Sequence, residues 1–81
     1  MNATNENNYV SIKLNNDEAL VLLEWLQSFN IEGHSALFQD QAEERILFNL
    51  EAELEKVVSE TFKEDYQTML LKARQSIRDE Q

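Results

Sequence analysis

Residues 15–29 read NNDEALVLLEWLQSF. Asn15 can accept from the backbone three residues on, and Glu18 can reach back, which is the spacing of a capping box. Asp17 and Glu18 add negative charge at the positive end of the helix that follows. The spacing predicts a helix over about residues 16–29. At 100° per residue, Ala19, Val21, Leu22, Leu23, Trp25, Leu26 and Phe29 cover roughly 200° of its circumference. A surface helix needs about half that arc. This helix must therefore meet structure on two sides or lie in a subunit interface.

Downstream, residues 30–39 (NIEGHSALFQ) form a connection in which Gly33 can turn left-handed without steric cost. Ile31, Leu37 and Phe38 are expected to pin that loop to the core. Asp40 and Glu43 form a second capping box, opening a helix that runs to about residue 59. Leu47, Leu50, Leu54 and Val57 give it a narrow seam, with Ile46 and Val58 alongside. Glu44, Glu51 and Glu55 make an acidic flank, and Phe48 and Ala52 fall off the seam. A third box at residues 61–64 precedes a helix over about residues 64–78. Tyr66, Met69, Leu70, Ala73 and Ile77 line one face of it, and Leu71 points away.

Upstream, residues 9–14 alternate, with Val10, Ile12 and Leu14 on one side. This is an extended segment, and no strand candidate follows it. A lone strand needs a partner for its backbone groups. Residues 1–8 (MNATNENN) hold four asparagines and almost nothing apolar, and read as a disordered arm. The expectation is an all-α fold: a small three-helix bundle over residues 9–81 with a short extended N-terminal segment, its first helix central.

Three stretches, residues 14–26 (LNNDEALVLLEWL), 40–55 (DQAEERILFNLEAELE) and 62–74 (FKEDYQTMLLKAR), resemble a group of small, functionally uncharacterised bacterial helical proteins. The resemblance spans about residues 10–79. It implies a small helical fold and brings no activity, cofactor or catalytic residue.

The 81 residues carry 16 acidic and 7 basic side chains, a formal charge of −9, with no cysteine or proline and one glycine. That composition excludes a disulfide scaffold, a cysteine nucleophile and a P-loop. It also argues against nucleic acid, whose phosphates the chain would repel. Lys72, Arg74 and Arg78 form only a small basic end. No run of 18 apolar residues spans a membrane, and the N-terminus lacks the features of a secretory signal, so a cytoplasmic protein is expected. His34 has no nucleophile and orienting carboxylate arranged around it. The glutamates lack the Glu-x-x-His pairs of a di-metal bundle. No catalytic, cofactor or metal residue is therefore expected.

What remains is an apolar surplus. Trp25, Val21, Phe48, Ala52 and Leu71 exceed what three amphipathic stripes require. Exposed apolar patches mark contact sites, and small domains often gain stability by association. The expected function is a non-catalytic protein-interaction domain, a homodimer with Val10, Ile12, Leu14, Val21, Trp25, Phe48 and Ala52 in its interface. The alternative is an acidic antitoxin- or immunity-like inhibitor that presents Glu44, Glu51 and Glu55 to a basic protein.

Overall fold

A computed structural model describes residues 1–58 and 63–79. Two strands lead, β1 (Asn2–Glu6) and β2 (Tyr9–Lys13), followed by helix α1 (Asn16–Glu32). A short 3-10 turn (Ser35–Leu37) leads to α2 (Gln41–Val57), and α3 (Tyr66–Asp79) closes the described chain.

The three expected helices are present, but the all-α class is not. β1 and β2 pair antiparallel, with Glu6 opposite Tyr9 and Asn2 opposite Lys13. The residues read as a disordered arm thus supply the strand that the alternating segment needed. The turn explains it. Asn7 and Asn8 have φ of 52° and 68°. Two consecutive left-handed residues make the two-residue hairpin loop whose twist suits antiparallel strands, and asparagine is among the few residues that tolerate it. The molecule is a small mixed α/β fold, a hairpin followed by three helices.

α1 begins as its sequence dictates. The Asn15 side chain accepts from Glu18 N–H at 2.8 Å, and Asn15 N–H donates to Glu18 Oε1 at 2.9 Å. That bond, together with the Met1 ammonium 3.4 Å from Glu18, holds the Glu18 carboxyl below the usual carboxylate range. The helix runs three residues past its expected end, to the turn at Gly33 with φ 70°. Replacing Asn15 with Ala removes a side-chain acceptor from the first turn. The expected loss is about 1 kcal/mol, read from chemical denaturation.

Leu20, Leu23 and Leu26 of α1 are buried, against Leu54 and Val58 on one side of the chain and Leu70 and Ala73 on another. Both other helices pack on α1. Its wide apolar arc is thereby largely satisfied within one chain, with Leu14 and Val21 half-buried against the same core.

On α2 the buried line differs from the expected seam. Leu54 and Val58 are buried and Leu47 is half-buried, while Leu50 and Val57 face outward. The line is 47–51–54–58, rotated toward Glu51. On this face Glu51 Oε1 accepts from Asn30 Nδ2 of α1 at 2.6 Å. The second cap is also rearranged. Asp40 accepts from Ala42 N–H at 3.3 Å, but Glu43 accepts from Gln39 rather than from the cap residue.

The third box falls partly on residues 61 and 62, outside the described residues. α3 starts at Tyr66, so Glu64 and Asp65 precede it instead of forming its first turn. Its expected face holds: Leu70 and Ala73 are buried, Tyr66, Met69 and Ile77 are half-buried and Leu71 is exposed. Tyr66 ties α3 to α1, with its hydroxyl donating to Glu24 Oε2 at 2.6 Å. Desolvation, then the bond to Glu24, push the Tyr66 pKa up to about 12. The unfolded chain releases this proton near pH 10, the folded chain near pH 12. Stability from this group is thus fully present below pH 10 and lost as pH rises from about 10 to about 12. With solvent screening allowed for, the loss is about 1 kcal/mol. Tyr66→Phe should remove that step from an alkaline series of denaturation midpoints.

Candidate functional site

The expected interface residues that stay exposed fall on two surfaces, one on the hairpin and one at the far end of α1, while Ile46, Leu50 and Val57 are exposed on the outer face of α2. The residues expected to share one interface divide between them. Val10 and Ile12 are exposed on the hairpin. Trp25, Phe48 and Ala52 are exposed on α1 and α2. Leu14 and Val21 are half-buried against the core and join neither. Phe29 lies ~20 Å along α1 from Asn16, so the second surface sits a helix length from the hairpin.

On the hairpin every residue of both strands is exposed. The pairing sets Ala3 opposite Ile12 and Asn5 opposite Val10, so these four share one face. Tyr9, Ser11 and Lys13 share the other with Asn2, Thr4 and Glu6. Among the described residues the sheet has two strands, and each has one unpaired edge. The Met1 amino group reaches Glu18, and Leu14 anchors the base of the hairpin in the core.

The second surface is built on stacked rings. Phe29 stacks on Trp25 at 4.7 Å and on His34 at 4.4 Å, and meets Phe38 edge-on at 6.0 Å. His34 Nε2 also lies 3.0 Å from Glu32 Oε2. These contacts hold His34 against Phe29 and Glu32. Phe38 turns in through its contact with Phe29, whereas Ile31 and Leu37, expected to pin the loop, are exposed. Ile31 lies in the last turn of α1 and Leu37 ends the 3-10 turn, and both face outward there.

The rings open onto α2. A cavity of about 320 Å³ is lined by Phe29, His34, Phe38, Glu44 and Phe48 among others. A second, of about 200 Å³, continues past Phe48 along Ile31, Ala52, Glu51 and Glu55. Phe48 and Ala52 therefore form the floor of a groove that the three glutamates border. Phe48 and Ala52, expected in the homodimer interface, and Glu44, Glu51 and Glu55, expected to face a basic protein, thus lie on one face. Glu51 is held by Asn30, and Glu55 accepts from Gln27 Nε2 at 3.4 Å. Both donors are neutral amides. Among the described residues, no basic group forms a salt bridge with Glu44, Glu51 or Glu55.

Among the described residues, no group of three or more His, Asp or Glu side chains could hold a metal ion. None of the described helices is long and apolar enough to cross a membrane. The chain matches no protein-family model, no curated protein and no solved structure. The resemblance drawn from the three helical stretches rests on those residues alone.

Proposed function

We infer that the chain is a non-catalytic interaction domain that forms a homodimer through the free edge of β2. The observation that carries this reading is a hairpin with every residue exposed and Tyr9, Val10 and Ile12 among them. A two-stranded hairpin is at best marginally stable in water, and three or more strands with an apolar face are needed for independent stability. A second copy supplies them. Antiparallel pairing centred on Ser11 sets Val10 opposite the partner's Ile12 and gives a four-stranded sheet with a continuous apolar face.

Charge supports the same surface. The chain carries −9, yet residues 1–14 contain one acidic side chain, Glu6, and one basic side chain, Lys13. Two copies can meet at the hairpin without bringing their helical carboxylates together. Light scattering at tens of micromolar tests the reading. Twice the chain mass is expected, and a strict monomer contradicts it.

The acid-bordered groove favours a second reading, a domain that binds and restrains a cationic protein. Its mark would be binding that weakens steeply with salt.

A further inference from the structure

We propose that the groove over Phe48 is a docking site for a cationic amphipathic helix, with an arginine of that helix seated among the rings beside Glu44. This rests on the second reading and does not depend on the dimer.

The argument starts from spacing. Glu44, Phe48, Glu51 and Glu55 stand at i, i+4, i+7 and i+11 on α2. One helix face thus presents acid, ring, acid, acid over ~17 Å. A partner helix lying along this face can match it with a cation, an apolar side chain and a second cation at the same intervals. Helices that dock in grooves are read through such i, i+4, i+7 anchors.

The larger cavity selects the first cation. Phe29, His34, Phe38 and Phe48 surround it with flat rings, and Glu44 closes one side. A planar guanidinium stacks on aromatic faces and pairs with a carboxylate through two parallel donors, whereas an ammonium offers a point charge. The site therefore suits arginine over lysine. Ile31 and Ala52 flank the second cavity, where the apolar residue would lie. Glu51 and Glu55 beyond it are already oriented by Asn30 and Gln27, so they are placed without being neutralised. In a second copy of this chain α1 and α2 are acidic and would be repelled by these carboxylates, and only α3 among the described helices, with Lys72, Arg74 and Arg78 against Asp79, has matching charge.

The test uses the full chain and a synthetic amphipathic helical peptide with Arg, Leu and Arg at i, i+4 and i+7. Binding is followed by the fluorescence of Trp25, which stacks on Phe29. The peptide should bind, and should bind about 10-fold more weakly to Glu44→Gln and to Glu51→Gln. Affinity for Glu53→Gln should not change, since Glu53 pairs with Lys56 outside the groove. Replacing both arginines by lysine should weaken binding to the wild-type chain. The Ile12→Lys variant should bind the peptide as wild type does, which separates this site from the dimer. Three results would overturn the site: no binding at low salt, equal binding by Glu44→Gln and Glu51→Gln, or equal binding of a peptide with the same charge and Ser for Leu. If a basic protein binds in a salt-sensitive way with those variants unaffected, the groove is wrong while the second reading stands.

Discussion

Leu23→Ala should cost this domain about 3–5 kcal/mol and leave much of it unfolded at room temperature. Leu23 is fully buried in α1, at the centre of a core that both other helices share. Its truncation removes buried methyl groups and leaves a void that close-packed neighbours refill only in part. A chain of 81 residues has a total stability of only ~4–12 kcal/mol, so the loss takes a large share of it. Leu71→Ala is the matched control. Leu71 sits on α3 facing solvent, and its truncation should change stability by less than about 0.5 kcal/mol. Urea denaturation followed by circular dichroism reads both. Equal midpoints for the two variants would mean that α1 is not the shared core element.

Ile12→Lys should weaken dimerisation by at least about 100-fold while leaving the monomer folded. In one chain Ile12 is exposed, lies opposite Ala3 and has no core contact, so the change is mild there. In the paired sheet each new lysine stands opposite the partner's Val10, and the two charges lie on one face around the two-fold axis. Lysine on an edge strand is the device by which proteins block such pairing. Sedimentation equilibrium gives the dissociation constant. A variant that dimerises as tightly as the parent would place the contact elsewhere on the molecule.

The helices were legible because their signals are local. The Asn15–Glu18 box, the left-handed Gly33 and the outward Leu71 follow from spacing and side-chain chemistry within a few residues. The hairpin was half legible. Val10 and Ile12 announced β2, but β1 carries Asn2, Ala3, Asn5 and Glu6, types depleted in strands. The available signal was the Asn7–Asn8 pair flanking the alternating segment, which marks a two-residue turn regardless of how polar the preceding strand is. The rotation of α2 could not be read at all. It goes with a contact between Asn30 and Glu51 across 21 residues, which periodicity does not encode. The groove was missed for the same reason: the sequence gives Phe48 and the glutamates, but only the packing of α2 against the end of α1 sets them around one opening.

The β2 edge is tested most directly by mixing isotope-labelled and unlabelled chains and recording isotope-filtered nuclear Overhauser spectra. The paired sheet predicts contacts between chains from Val10 to Ile12 and from Ser11 to Ser11. If no contacts between chains appear while those within the β1–β2 hairpin are strong, the edge is free in solution and the homodimer reading is contradicted.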